Sequence, residues 1–262
     1  MAVFAILVKK YVFVPDVYNM TQANAESAIT SAGLTVGTVN EDYHATIIEG
    51  NVYDQSPAAG TKVPIDTSVN IDVSLGVEEI TVNTSFQVVA DADDGYSRGT
   101  GFGTVHPVVG DAYNAYARLT NVTIPKDATI NSAYVKVWQN GSEGSENVDC
   151  RIYARDHGNT GNPTIWQNLT NSDPVSPGSS GWLLTTASVA WDNLPNVGGG
   201  GNYDSPSITS IIQEIVNRGD WVSGNALCLV LKDTTSSSNH ERIHQNADDN
   251  GYRLNVNYTY TP

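Results

Sequence analysis

Between Thr21 and Ala32 the apolar residues Ala23, Ala25, Ala28, Ile29 and Ala32 recur at helical spacing. This predicts a helix with Thr21 as its N-cap and Gly33 as a left-handed C-terminal cap. Residues 34–38, 52–55 and 69–73 read as short strands, with Pro57 and Gly60 marking the turn between the last two. From Ser85 the pattern becomes one of alternating runs, at 86–90, 113–119, 130–138, 148–154, 187–191, 226–231 and 252–260. Asp94-Gly95, Asn140-Gly141, Asn250-Gly251 and the glycines 198–201 read as turns between them. Many short strands joined by polar turns predict an antiparallel β-sandwich. Ile208, Ile211, Ile212 and Ile215 fall at i, i+3, i+4 and i+7, which predicts one amphipathic helix from Ser207 to Gly219 capping the sandwich.

Specific phrases sharpen the first of these regions. Val14-Pro15-Asp16-Val17, Met20-Thr21, Ala32-Gly33-Leu34 and Val36-Gly37 are followed by Gly50-Asn51-Val52, Gln55-Ser56-Pro57-Ala58-Ala59-Gly60-Thr61 and Val73-Ser74-Leu75-Gly76. The segment resembles a PASTA domain, the small extracellular module of penicillin-binding proteins and bacterial Ser/Thr kinases. The resemblance implies one helix on a three-stranded sheet, a binding or spacing role without catalysis, and affinity for cell-wall fragments. Asn19 and Asp66 stand where that family has turn glycines. Both residue types tolerate positive φ, so the turns are expected to survive.

The later region carries Ala117-Arg118-Leu119-Thr120-Asn121-Val122-Thr123-Ile124-Pro125, Ala128-Thr129-Ile130-Asn131-Ser132-Ala133-Tyr134 and Thr186-Ala187-Ser188-Val189-Ala190-Trp191. With Ile212-Gln213-Glu214-Ile215-Val216-Asn217-Arg218 and Gly224-Asn225-Ala226-Leu227, it resembles jelly-roll modules of marine bacterial surface proteins and phage fibre or head proteins. These are structural phrases and imply no substrate.

A chain of 262 residues is long enough for two domains, each with its own core. The formal charge is −15, and the 13 Lys and Arg form no basic stripe. Nucleic acid is therefore not an expected partner, since phosphate neutralisation needs clustered cations. The acidity is shared, with 3 basic and 8 acidic residues up to Gly76 and 10 and 20 beyond. Cys150 and Cys228 lie in strand-like runs and read as buried thiols, with a disulfide between neighbouring strands as the alternative. At the N-terminus an apolar run precedes Lys9-Lys10. This reverses the order of a secretory signal, and the run is too short to span a bilayer. Residues 1–10 are thus expected to form an arm whose Val3, Phe4, Ile6 and Leu7 are covered by another subunit.

Three patterns bear on chemistry. His240-Glu241-Arg242-Ile243-His244 spells the HExxH zinc-protease motif. That motif needs a helix to bring both imidazoles to one metal, whereas this position reads as a strand, where residues four apart lie ~13 Å apart. A chance match is expected, and no metal. Asp91, Asp93 and Asp94 beside Gly95 are oxygen-rich enough for Ca²⁺, yet they lack EF-hand spacing and read as a solvated hairpin turn. Among five tryptophans, Trp138 and Trp191 end apolar alternating runs and read as core, whereas Trp166 and Trp182 lie in loop-like stretches and are the candidates for stacking on a sugar. No nucleophile elbow is present.

The expectation is a mainly β chain: arm 1–10, PASTA domain 11–76, linker 77–83 and a jelly-roll-like β-sandwich with one helix at 84–262. A module that works outside cells, joined to a chain without export-signal order, points to a non-enzymatic bacteriophage virion surface protein made in the host cytoplasm. Expected partners are other virion subunits, further copies of itself, and a host glycan or peptidoglycan, with no cofactor other than Ca²⁺ as a weak option and no membrane span. The alternative is a secreted, extracellular bacterial carbohydrate-binding or adhesion protein.

Overall fold

The computed structural model describes residues 10–89, 93–98, 101–103, 107–111, 113–143, 148–156, 183–194, 201–234, 240–243 and 252–262. The chain divides into two compact units, the first reaching to Ile80 and the second comprising Thr81–Tyr260.

In the first unit β1 (Tyr11–Phe13) leads through the 14–17 loop to α1 (Gln22–Ser31). Then follow β2 (Thr35–Asp42), β3 (Val52–Ser56), β4 (Lys62–Pro64) and β5 (Ser68–Ser74). The three-stranded sheet has the order β2-β5-β3, with β2 parallel and β3 antiparallel to β5, and β1 pairs with β4. Thr21 is the N-cap in position, with extended backbone, but its side chain makes no capping bond; its carbonyl accepts the Ala25 N–H at 2.9 Å instead. The helix ends as expected at Gly33, φ +78°, where the Leu34 N–H reaches back to the Ile29 carbonyl. Its buried stripe is narrower than the spacing predicts, since Ala25 and Ile29 are buried and Ala23 is exposed. These two residues pack with Val14, Val17, Leu34, Val52, Val69 and Ile71 into the core. Asn19 and Asp66 adopt φ of 58° and 62°, the left-handed values their turns demand. Asn51 Nδ2 donates to both the carbonyl and Oδ1 of Asn19 at 3.1 Å, which holds the first turn.

The second unit is mainly β. Its strands are β6 (Ile80–Gln87), β7 (Asp94–Arg98), β8 (Gly101–Gly103), β9 (Val108–Gly110), β10 (Tyr113–Val122), β11 (Thr129–Glu143) and β12 (Val148–Ala154). They continue with β13 (Val189–Leu194), β14 (Gly201–Asp204), β15 (Asn225–Asp233), β16 (His240–Ile243) and β17 (Arg253–Tyr260), with α2 (Thr209–Val216) between β14 and β15. The hydrogen-bonded path runs β13-β12-β15-β10-β9-β16-β11-β17-β6. One core takes Leu119 from β10, Val135 from β11, Ile152 from β12, Leu229 from β15 and Leu254 from β17. The sheet therefore folds over on itself, and residues from both of its halves meet in a single interior.

Two expected turns are strand instead. Asp94-Gly95 opens β7, and Asn140-Gly141 lies within the long β11, where the pairing with β16 shifts register between Gln139 and Gly141. The extra residue is absorbed by a bulge and the strand continues. Helix α2 is shorter than predicted, but Ile208, Ile211, Ile212 and Ile215 are all buried. It closes one side of β11 with side chains, Thr209 Oγ1 and Gln213 Oε1 accepting the Ala133 and Ile130 amides at 3.1 and 2.8 Å, while Ser205 Oγ, ahead of the helix, accepts the Val135 amide at 2.9 Å. Cys150 and Cys228 are buried free thiols. Cys150 faces the main core, and Cys228 faces a small cluster with Tyr116, Leu184 and Val230. That difference in facing, together with a register in which Cys150 sits opposite Asp233, rules out a bridge between them.

Candidate binding surfaces

In the first unit the 14–17 loop is pinned by one side chain. Val14 and Val17 are buried, leaving Asp16 and Tyr18 exposed between and after them. Gln55 Oε1 accepts the Val17 N–H at 2.9 Å, and Gln55 Nε2 donates to the Pro15 carbonyl at 2.9 Å. The Tyr18 N–H donates to Asp16 Oδ1 at 3.1 Å, which fixes the carboxylate beside the ring. Asp16, Tyr18, Asp54, Gln55, Ala58 and Ala59 line a shallow depression of about 190 Å³. It offers an exposed phenol ring and two carboxylates, a combination suited to ligands that carry hydroxyl or ammonium donors.

In the second unit a polar surface is built on the face of β6, β17, β11 and β14 turned away from the core. Along β11, Ala133, Val135 and Val137 point inward and are buried, so Ser132, Tyr134, Lys136 and Trp138 point outward. In β17, Leu254, Val256 and Tyr258 face the core, and Asn255 and Asn257 stand opposite Tyr134 and Ser132. An amide ladder crosses three strands. Asn131 Nδ2 donates to Asn257 Oδ1 at 2.7 Å and to Thr259 Oγ1 at 2.8 Å, and Asn257 Nδ2 donates to Asn83 Oδ1 at 2.6 Å. The hydroxyls of Thr81 and Thr259 meet at 3.0 Å. One polar atom is left over. Asn255 Nδ2 is closed to bulk water and has no hydrogen-bond partner among the described residues. Such a buried donor costs ~1–3 kcal/mol. Lys136 pairs with Asp204 at 2.9 Å, so the only opposite charges on β11 and β14 in this stretch offset each other.

The residues singled out from sequence fare differently. Trp166, Trp182, Asp91 and the arm residues Val3, Phe4, Ile6 and Leu7 lie outside the described residues. Asp93 and Asp94 do not form a solvated turn: both are buried, and Asp93 accepts a hydrogen bond from Arg118 Nη1 at 2.7 Å. Burial first, and then the Asp94 carboxylate, push the Tyr252 phenol well above its ordinary range. His240–Ile243 is strand, flanked by β11 and β9, and His244 lies outside the described residues. Among the described residues no group of three His, Cys, Asp or Glu side chains is placed to hold a metal. Trp191 is buried as expected, but Trp138 is half-buried on the outward face, where strand parity puts it. Tyr134, Asn83, Asn255 and Asn257 were missed. The alternation in Ser132-Ala133-Tyr134-Val135-Lys136-Val137-Trp138 and in Leu254-Asn255-Val256-Asn257 could have found Tyr134, Asn255 and Asn257.

The PASTA family model matches residues 12–75, and this segment is a PASTA domain. A probable serine/threonine-protein kinase PknB of Lactococcus lactis is 45% identical over 67 residues, covering 26% of this chain and 11% of the relative. Serine/threonine-protein kinase PrkC of Bacillus subtilis is 36% identical over 90 residues, 33% of this chain and 13% of the relative. The chain thus spans little more than a tenth of the length of these curated relatives. Among solved structures, the three-PASTA-domain region of a Ser/Thr kinase from Staphylococcus aureus aligns at 25% identity and TM-score 0.28, covering 30% of this chain and 40% of that one. The relatives are kinases of cellular bacteria, and this corrects the virion reading. The family model ends at residue 75, so the second unit stands on its own geometry.

No helix among the described residues is long and apolar enough to cross a membrane.

Proposed function

We propose that this chain is a non-catalytic, surface-exposed or secreted bacterial binding protein whose PASTA domain docks on cell-wall fragments. The observation that carries the reading is the PASTA match over residues 12–75 together with the depression that Gln55 organises around Asp16, Tyr18 and Asp54. Peptidoglycan fragments present sugar hydroxyls and stem-peptide amines, which complement a phenol ring flanked by two carboxylates. The pinned loop keeps this geometry fixed before a ligand arrives, which lowers the entropic cost of binding. The test is co-sedimentation of the full chain with purified, insoluble peptidoglycan. Tyr18→Ala should reduce the bound fraction at least severalfold, and a combined Asp16→Asn, Asp54→Asn variant should weaken it where the stem peptides carry free amines. Binding that survives both variants, or no binding by the unaltered chain, would sink the reading and leave the PASTA domain a spacer.

A further inference from the structure

We propose that the outward face of β6, β17, β11 and β14 is a second binding site, for a neutral saccharide chain, independent of the PASTA depression. Four observations converge on it. Two depressions of about 200 and 270 Å³ meet at Ser132 and Tyr134, which line both. The first is walled by Asn83, Thr84, Asn255 and Asn257, and the second by Asp204, Ser205 and Ser207. Each has room for a single sugar ring, and Tyr134 stands between them where the C–H face of a pyranose can lie on its ring.

The polar groups suit hydroxyls rather than ions. Asn131 spends its Nδ2 within the ladder and keeps Oδ1 as an acceptor, whereas Asn83 accepts through Oδ1 and keeps its Nδ2 protons. Alternating donors and acceptors match sugar hydroxyls, each of which donates once and accepts up to twice. The ladder also holds the amides in place before binding, so little side-chain freedom remains to be lost.

Charge selects a neutral chain. Lys136 is offset by its pairing with Asp204, and Arg253 Nη2 is engaged with the neutral Gln87 Oε1 at 2.8 Å. The chain as a whole carries −15, which repels acidic polymers. A second copy of this chain would bring the same excess charge, which disfavours it as the occupant.

The experiment is calorimetric titration of the full chain with neutral tri- to hexasaccharides of glucose, N-acetylglucosamine, xylose and mannose, with oligogalacturonate as the anionic control. At least one neutral series should bind with an affinity that rises from three to six sugars, because both depressions then fill. Tyr134→Ala should weaken it about tenfold or more, Asn83→Ala should weaken it, and Tyr134→Phe should retain it. Tyr18→Ala should leave it unchanged, which separates this site from the PASTA depression. Thermal melts of each variant establish that it is folded. Binding of the anionic control alone, equal binding by Tyr134→Ala, or no neutral ligand at millimolar concentration would overturn the proposal. So would self-association, by light scattering, that Tyr134→Ala abolishes in the absence of sugar binding.

Discussion

Replacing Gly37 with alanine should open the PASTA domain, and the structure says by how much. Gly37 lies where the β2–β5 pairing shifts register between Val36 and Val39. A Cβ there would sit 2.2 Å from Asn70 Oδ1 and 3.2 Å from the carbonyl carbon and oxygen of Val69. The amide oxygen must move, yet it is the acceptor of the Thr38 N–H at 2.8 Å. Losing that bond costs ~0.5–1.5 kcal/mol, and the residual crowding against Val69 adds ~1–3 kcal/mol. A total of about 1.5–4.5 kcal/mol is expected. Hydrogen exchange of the full chain, read at the amides of α1 and β5, measures it. The decisive comparison is a double-mutant cycle with Asn70→Ala, in which the Thr38 bond is already gone and the new methyl no longer meets the amide. Gly37→Ala should then cost less, with a coupling of about 1 kcal/mol. If the two changes add to within ~0.3 kcal/mol, the clash with Asn70 is not what makes glycine necessary.

Two further outcomes follow from burial. Ile212→Ala removes a fully buried side chain from the face of α2 and should destabilise the second unit by ~2–5 kcal/mol in urea unfolding; a cost below ~1 kcal/mol would mean that α2 does not complete the core. Burial pushes the ionisation of Cys150, Cys228, Tyr116 and Tyr252 upward. Each of these groups holds its proton more tightly folded than unfolded. The stability they lend is therefore complete below their ordinary values of 9.0 and 10.0 and drains away as pH rises through them. The unfolding free energy from urea titrations should fall between about pH 8 and pH 11, by as much as ~1.4 kcal/mol per pH unit for each group past its ordinary value, and a flat profile would contradict the burial.

The PASTA domain was legible because its signals are local. Gly33, Asn19 and Asp66 each declare a backbone conformation that few residues adopt, and the structure finds all three there. The second unit was legible only as a class. Val135 and Val137 mark a strand whichever neighbour it takes, but nothing near them states that β17 lies on one side and β14 on the other. Asp94-Gly95 and Asn140-Gly141 have turn chemistry, and tertiary pairing overrode it in both places. Trp138 was misread because it followed valines, although its even parity with Tyr134 already set it on the other face. The binding face was harder still, since Asn83, Asn131 and Asn257 come together only when three strands distant in sequence align.

The position of β17 between β11 and β6 sets the order in which this protein can be made. Strand β6 leaves the ribosome more than 160 residues ahead of β17, its neighbour in the sheet among the described residues. Such non-local closure is slow, on the order of milliseconds to seconds for β-rich domains. The PASTA domain, whose strands and helix all lie before residue 75, meets no such delay. A growing chain therefore carries a complete PASTA domain before β17 has been made, and the sheet closes only once β17 is available. A frameshift or proteolytic cut within β17 would strand β6 and dismantle the amide ladder, while leaving the PASTA domain intact.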